Sequence, residues 1–290
     1  MTKHSLHAHD AVSHGLRVEL LSRTAYSASD PVQTHSLGIA LERQKGVHAI
    51  GSDRRVDFDT WPGMLAYTPP GVDVFSESAT GGEYLVARWT PDPSVPARHG
   101  SDGRAYWAGH APALAAAQQL RRLLLDAAPD VLAVEQSALA FLSLQTPVEG
   151  DDRADQYPNL RGVYGRVLDR MACDFAQPLS IAQLAQGEGK TPLRFLREFT
   201  QLVGMTPHAF LVETRVQAAR AMMRKEAAPL ASIALDCGFT HQSHMGVAFR
   251  KVLGRTPGKY LAAYRQGQYG SPHPGATAGN TPYARPCRVG

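Results

Sequence analysis

Two clusters of polar and basic side chains lie about 50 residues apart in the C-terminal half of the chain, each at the start of a predicted helix. Arg194 and Arg197 stand in the first cluster, and a guanidinium group matches the O6 and N7 atoms of guanine or binds a phosphate. Gln242, in the second cluster, can form two hydrogen bonds with adenine. The sequence therefore predicts a DNA-binding surface. Its candidate residues are Thr191, Leu193, Arg194, Leu196, Arg197, Thr240, His241, Gln242, Ser243, His244, Arg250 and Lys251.

Signatures of enzyme chemistry are missing from the sequence. The chain has a single His-x-His pair, at His7 and His9 in a polar N-terminal stretch, while His35 and His48 stand alone. The cysteines form no Cys-x-x-Cys pair of the kind that binds zinc. There is neither a Gly-x-Ser-x-Gly elbow nor a Walker-type phosphate loop. We therefore expect no catalytic residues, no metal site and no cofactor.

Short segments with β character alternate with Gly and Pro turns between about residues 26 and 89. Such short strands, about 8 to 12 residues apart, predict an antiparallel barrel or a double-sheet roll. The mouth of a small barrel is a usual place for a ligand, and aromatic side chains there form either the core or the pocket. Four residues are candidates for effector binding: His48, Tyr67, Tyr84 and Trp89. The predicted strands include Ser36–Leu41, Arg55–Asp59, Met64–Tyr67 and Glu83–Trp89.

Two amphipathic helices are predicted after the strands, at Pro112–Asp126 and Val131–Leu144. In the first of them, Leu114, Leu120 and Leu124 fall near helical spacing. These leucines either pack against the β domain or form a dimer interface, and the pattern does not separate the two alternatives.

An internal repeat occupies the basic half of the chain. Leu184-Ala185, Gly189 and Thr191 recur 49 residues later, whereas Phe199 and the Gly-x-Thr-Pro that follows it recur 50 residues later, so the second copy holds one extra residue. Gly suits the turn of a helix-turn-helix, and we expect Thr191 and Thr240 to cap the second helix of each copy. A predicted helix over residues 206–226 joins the copies. Its length is about that needed to place two recognition helices in successive major grooves.

The near-neutral net charge of +4 hides two oppositely charged halves. Residues 160–265 hold 15 basic and 7 acidic side chains, a net of +8, while residues 1–159 hold 13 basic and 19 acidic ones, a net of −6; Arg285 and Arg288 add the remaining +2. Such asymmetry indicates a polyanionic partner for one end. Within the basic half, Asp236 is interpreted as a buried acid that bonds to a basic side chain of the connecting helix.

The domain organisation follows from these changes in composition. We predict a flexible N-terminus at residues 1–20, a β domain with appended helices at 21–145 and a polar linker at 146–160. An all-α tandem helix-turn-helix domain is predicted at 161–265 and a disordered tail at 266–290. No apolar run is long enough to span a membrane, and no secretory signal is present, so we expect a cytoplasmic protein.

Three segments carry a specific resemblance. GMTPHAFL at 204–211, IALDCGFTHQSHM at 233–245 and AFRKVLGRTPGKY at 248–260 closely resemble the DNA-binding domain of AraC/XylS-type transcription regulators. This resemblance covers about residues 161–265. The first half is similar to the cupin-like effector domain of those regulators in its length, in its short strands separated by turns and in its Pro69-Pro70-Gly71 turn. The expected fold is therefore α+β, with a cupin-like β-barrel and a C-terminal tandem helix-turn-helix domain.

The resemblance also assigns expected roles. Arg197 matches a base-reading position of the family, whereas relatives commonly carry an Arg at the position of Val247 and a polar residue at that of Gly246. The second unit is thus expected to make fewer hydrogen bonds to bases, with apolar contact to a thymine methyl group in their place. Arg250 and Lys251 are expected to contact the phosphate backbone of DNA. The alternative is that they form a solvated face.

The sequence as a whole predicts a bacterial-type transcription regulator. Expected partners are double-stranded promoter DNA, a small-molecule effector, RNA polymerase and a second copy of the chain. An activator role fits such a regulator, but the sequence does not reveal whether transcription is activated or repressed. The alternatives are a cupin-type metalloenzyme with a basic helical tether and a nonspecific DNA-coating protein.

Overall fold

The computed structural model describes residues 8–13, 15–90, 104–126, 128–145, 158–225 and 228–266. The chain divides into two compact units, Met1–Gln156 and Tyr157–Gly290. The boundary between them falls within the segment predicted as a linker. The predicted tail, apart from Gln266, lies outside the described residues.

Two antiparallel sheets form the first unit. The larger has the strand order β1-β2-β9-β4-β7-β10 and the smaller the order β3-β8-β5-β6. The sheets do not close into a barrel within the described residues, so the structure is the double-sheet alternative and the cupin-like closed barrel is not confirmed. The strands are β1 Ala8–Ser13, β2 Leu16–Leu21, β3 Tyr26–Ser29, β4 His35–Ala40, β5 Gln44–Ile50, β6 Val56–Thr60, β7 Leu65–Thr68, β8 Val74–Ser78, β9 Tyr84–Trp89 and β10 Ala105–Trp107.

The N-terminal boundary of the β domain was predicted wrongly. Residues 8–13 and 16–21 are strands that pair with each other, and β2 also pairs along its whole length with β9. These strands lie almost entirely within the stretch predicted as flexible. Val18 and Leu20 alternate with polar Arg17 and Glu19 and are buried, a short period-two pattern that the sequence interpretation missed.

Two helices follow the sheets, α1 at Ala111–Leu124 and α2 at Val131–Leu142, with a 3₁₀ turn at Ser143–Gln145. Leu114, Leu120 and Leu124 are buried in the first unit. They therefore pack into its core and do not form an exposed dimer interface, which corrects the alternative prediction. Helix α1 also contributes Arg121 to the core, where it forms a buried ion pair of 2.9 Å with Glu83.

Within its described residues the second unit is helical. Its helices are α3 Pro158–Cys173, α4 Ile181–Gly187, α5 Pro192–Val203, α6 Pro207–Lys225, α7 Leu230–Asp236, α8 Gln242–Leu253 and α9 Pro257–Arg265. Helix α6 contacts α3 and α5 on the first repeat and α7, α8 and α9 on the second. Buried Phe210, Val216, Ala219 and Met223 follow helical spacing along it, so both repeats are built on this central helix.

Candidate nucleic-acid interface

Each repeat forms a two-helix unit with the same local geometry. In the first, α4 is joined to α5 through Gly189, whose φ is 63°; in the second, α7 is joined to α8 through Gly238, whose φ is 76°. Both second helices end at a left-handed glycine, Gly204 and Gly254, each with φ of 75°. The predicted turn and C-cap glycines therefore all adopt positive φ, the conformation that glycine tolerates best.

The N-caps of the two recognition helices differ. The Thr191 hydroxyl accepts a hydrogen bond from the Arg194 amide and caps α5, as predicted. In the second unit the cap is His241, whose Nδ1 accepts from the His244 amide at 3.1 Å. Thr240 precedes the cap, and its predicted capping role was wrong. The extra residue of the second copy thus lies between Gly238 and the helix start, and Thr191 is equivalent to His241.

The buried and exposed faces of α5 are sharply divided. Phe195 and Phe199 are fully buried and pack with Tyr164 of α3 at ring distances of 5.5 and 6.1 Å. Thr191, Leu193, Arg194 and Arg197 are exposed, whereas Leu196 is half-buried at the edge of this face. The helix therefore offers its N-terminal half and one side to a DNA groove.

A charged network holds Arg194 against its own helix. The Arg194 Nε donates to Glu198 Oε1 at 2.7 Å, and Glu198 Oε2 accepts from Lys190 Nζ at 2.7 Å and from the Tyr164 hydroxyl at 2.9 Å. Burial acts to raise the pKa of Glu198, but hydrogen bonds from Lys190, Arg194 and Tyr164 outweigh it and lower that pKa. The Arg194–Glu198 spacing is readable in the sequence as an i,i+4 pair. Lys190 and Tyr164 carried no such signal, and the sequence interpretation missed both.

Arg197 lies on the same exposed face without such a restraint. Its side chain makes no hydrogen bond or ion pair to any residue that the structure describes. The two arginines of α5 thus differ in freedom, because Arg194 must break or share its bond to Glu198 before it binds a new partner.

The second recognition helix presents a different set of groups. His241, Gln242, Ser243 and His244 are all exposed at its N-terminal end, and the Thr240 hydroxyl lies 3.1 Å from His244 Nδ1. Arg250 and Lys251 are exposed in its last turn. Helix α8 therefore combines a polar N-terminal end with a basic C-terminal end.

Val247 occupies the position in α8 that Arg197 occupies in α5, 50 residues earlier. It is 56% exposed, and Gly246 beside it is buried. The exposed centre of α8 is accordingly apolar where that of α5 is cationic. Asp236, by contrast, was predicted wrongly: it is exposed in α7 and accepts from the Ser232 hydroxyl of the same helix at 3.3 Å.

The connecting helix α6 contains 19 residues, a length of about 28 Å at the usual rise per residue. Successive major grooves on one side of DNA are about 34 Å apart. Both recognition helices pack on α6, and the length of this helix is close to the separation that tandem groove binding requires.

The four candidate effector residues do not come together. Tyr84 lies on the face of the larger sheet opposite to that of Trp89, because strand side chains alternate. Trp89 stacks on His35 at 5.0 Å, and the Tyr67 hydroxyl lies 2.8 Å from His35 Nδ1, so these three side chains form one cluster. His48 belongs to the smaller sheet and stacks on Phe58 at 5.4 Å.

The described residues contain no group of three or more His, Cys, Asp or Glu side chains placed to hold a metal ion. Among the described helices, none combines the length and the apolar character needed to cross a membrane.

Known proteins resemble mainly the second unit. Residues 184–263 match the model of a helix-turn-helix domain family. "Probable transcriptional regulator LumQ" of Photobacterium leiognathi is 30% identical over 82 residues, 28% of this chain and 33% of LumQ. A Streptomyces antibioticus protein, named as an AraC-like transcription regulator, is 33% identical over 87 residues, 30% of this chain and 29% of that protein. The transcriptional activator RhaR of Klebsiella pneumoniae is 22% identical over 172 residues, 58% of this chain and 61% of RhaR.

The second unit thus contains a DNA-binding helix-turn-helix domain. More particularly, residues 184–263 form a domain of the AraC type, in agreement with the resemblance seen in the sequence. Each match spans less than two thirds of the relative's own length.

Proposed function

We propose that the protein is a sequence-specific transcription regulator whose second unit binds promoter DNA through α5 and α8 and whose first unit binds a small-molecule effector. The observation that carries the proposal is the tandem arrangement itself: two exposed recognition helices are packed on one connecting helix of 19 residues. A single groove contact would not need this second, equally built unit.

Base reading is assigned first to Arg197. It is exposed and makes no hydrogen bond or ion pair within the described part of the chain, so it reaches a guanine without losing an existing ion pair. Arg194, held by Glu198, is assigned to a phosphate together with Thr191 at the helix N-terminus. Leu193 and Leu196 border this face and supply apolar contact.

We assign the second unit a lower base specificity than the first. Gln242 and Ser243 at the start of α8 offer hydrogen bonds to base edges, while exposed Val247 offers a methyl contact to thymine. Arg250 and Lys251 are assigned to phosphates, which fix the position of the helix without reading sequence. We expect the half-site bound by α8 to tolerate more variation than the one bound by α5.

The experiment is selection of binding sites from random double-stranded DNA by the full chain, followed by sequencing. The expected result is a bipartite motif whose half-sites are about 10 base pairs apart. The half-site assigned to α5 should carry the higher information content. A protein that only coats DNA would instead show no enriched sequence and a steep salt dependence on every duplex. That outcome would reject the proposal.

A further inference from the structure

The first unit contains an arginine whose guanidinium group has no hydrogen-bond or ion-pair partner among the residues that the structure describes. Arg104, directly before β10, is half-buried, and it makes neither a hydrogen bond nor an ion pair with any described residue. Its Nε is shielded from solvent and unsatisfied. The guanidinium carbon of Arg104 lies over the Tyr106 ring, 5.0 Å from the ring centre. A half-buried guanidinium group that is unpaired within the described residues is available to an anionic ligand.

The register of the larger sheet places aromatic groups beside this arginine. Arg104 and Tyr106 share a face because side chains alternate along the chain. Tyr106 pairs with Ala66 of β7 and Gly38 of β4 pairs with the same residue, so Gly38 is in line with Tyr106 across the sheet. The Tyr84 ring lies over Gly38, in space that a side chain at that position would fill. Arg104, Tyr106 and Tyr84 thus line one wall.

The smaller sheet supplies the facing wall. Tyr26, His48 and Phe58 project from one face of β3, β5 and β6, as the strand registers require. The Tyr26 hydroxyl donates to Gln44 Oε1 at 3.4 Å, and His48 stacks on Phe58. The Arg104 charge acts on Tyr84 of the larger sheet and also on Tyr26 and His48 of the smaller one, so the two walls meet around it.

The protonation states of these groups suit an anion. Burial raises the pKa of Tyr84 to about 12, and burial followed by the Asp30 carboxylate raises the pKa of Tyr26 to about 12, with Arg104 opposing both shifts. Both hydroxyls therefore stay protonated at neutral pH and can donate hydrogen bonds. Burial, and after it Arg104, lowers the pKa of His48, which keeps this ring neutral. Asp30 is already bound by Arg88 at 2.9 Å.

We propose that the space between the sheets binds a small monocarboxylate with an apolar or aromatic body, its carboxylate paired with Arg104. This inference rests on the proposed effector function of the first unit and names the chemical class of the effector. A single unpaired cation suits one negative charge better than the two of a phosphate, and the tyrosine and phenylalanine rings suit an apolar body. Arg104 carried no sequence signal, since it follows a stretch without periodicity.

The experiment compares acids with their neutral amides on the purified full chain. Sodium benzoate and hexanoate are titrated against benzamide and hexanamide at matched ionic strength, with sodium phosphate as a third arm, by calorimetry and by thermal unfolding. At least one carboxylate should bind and raise the unfolding midpoint by about 4 °C or more, while its amide does not. The proposal is overturned if neither acid exceeds its amide, or if phosphate alone stabilises the protein.

Variants then locate the site. Arg104→Gln should weaken carboxylate binding about tenfold or more, since it removes the charge-assisted pair, while Arg104→Lys should retain part of the binding. Arg54→Gln, at an exposed arginine of the same unit, is the matched control and should bind normally. Carboxylate binding that survives in Arg104→Gln would place the ligand elsewhere. Should this variant fail to fold, benzoate must protect Arg104, and not Arg54, of the unmodified protein from phenylglyoxal.

The two proposals fail in different ways. Site selection on the same protein reports on DNA binding and does not require the ligand. Enriched DNA sites without carboxylate binding would overturn the inference about Arg104 and leave DNA regulation standing. Carboxylate binding without any enriched DNA site would overturn the proposed DNA regulation and leave the inference about Arg104 standing.

Discussion

Glu198 binds Arg194 along one side of the first recognition helix, with 2.7 Å between Glu198 Oε1 and Arg194 Nε. The two arginines of this helix turn therefore differ in restraint: Arg194 is held by a carboxylate, whereas Arg197 has no such bond within the described residues. Lys190 and Tyr164 complete the environment of Glu198, so the carboxylate that restrains Arg194 is itself fixed from two other elements.

Replacing Arg197 tests its assignment as a base reader. Arg197→Ala should weaken binding to the selected site by about 1 to 3 kcal/mol and relax preference at one base position. Gel-shift titrations on the selected site and on each single-base variant measure both effects. Arg170→Ala, an exposed arginine of α3, is the control and should leave affinity nearly unchanged. Equal loss on every sequence would make Arg197 a phosphate contact.

The Glu198 network predicts a pH-dependent contribution to stability. Because the pKa of Glu198 is lowered in the folded state, its contribution is present above the ordinary value of 4.5 and is lost as pH falls through the lower, folded value. Glu198→Gln should therefore cost about 1 kcal/mol at pH 7 and progressively less below about pH 4.5. Thermal unfolding of both proteins across pH measures the difference.

The control for this change is Glu188→Gln, which removes a pair with the exposed Arg166 side chain. An exposed ion pair contributes little, so this variant should unfold close to the unmodified protein at neutral pH. A Glu198→Gln difference that stayed constant down to pH 3 would show that shape, and not charge, is what Glu198 contributes.

The repeat could be predicted because each of its landmarks has a local physical cause. Gly189, Gly204, Gly238 and Gly254 mark backbone conformations that glycine favours, and buried Phe199 and Phe249 follow helical spacing. The position of the extra residue could not be predicted, because Thr and His are both able to accept a backbone hydrogen bond. Choosing between Thr240 and His241 depends on how α7 and α8 pack.

The first unit was predicted less completely. The alternation of its strands was visible, but whether two sheets close into a barrel depends on strand pairing between residues far apart in sequence. Leu114 and Leu120 show the same limit, since an amphipathic pattern gives the buried face of a helix without naming what covers it. Arg104 was missed because its importance lies in the absence of a hydrogen-bond or ion-pair partner among the described residues, which only the fold reveals.

The His241 cap predicts a measurable cost when its acceptor is removed. His241→Ala leaves the His244 amide without its side-chain partner and should destabilise the second unit by about 0.5 to 2 kcal/mol. His241→Ser keeps an acceptor at this position and should recover most of that loss. Chemical denaturation followed by far-UV circular dichroism measures both variants. If the serine variant were as unstable as the alanine one, the ring of His241 would matter for packing and not for capping.

The two turn glycines provide a matched pair in which only the surroundings differ. Both have positive φ, so alanine at either position costs roughly 1 to 2 kcal/mol for the left-handed backbone. A Cβ at Gly189 meets nothing within 4 Å, whereas one at Gly238 would lie 2.6 Å from the Ala176 carbonyl oxygen and 2.8 Å from its Cα. Gly238→Ala must therefore also displace the segment after α3, at a further cost of about 1 to 3 kcal/mol.

Tryptophan fluorescence and circular dichroism together measure this difference. All three tryptophans, Trp61, Trp89 and Trp107, lie in the first unit, so the tryptophan fluorescence transition should stay unchanged in both variants while circular dichroism reports the loss. Equal destabilisation by the two substitutions would mean that the turn of the second repeat is free of the contact with Ala176.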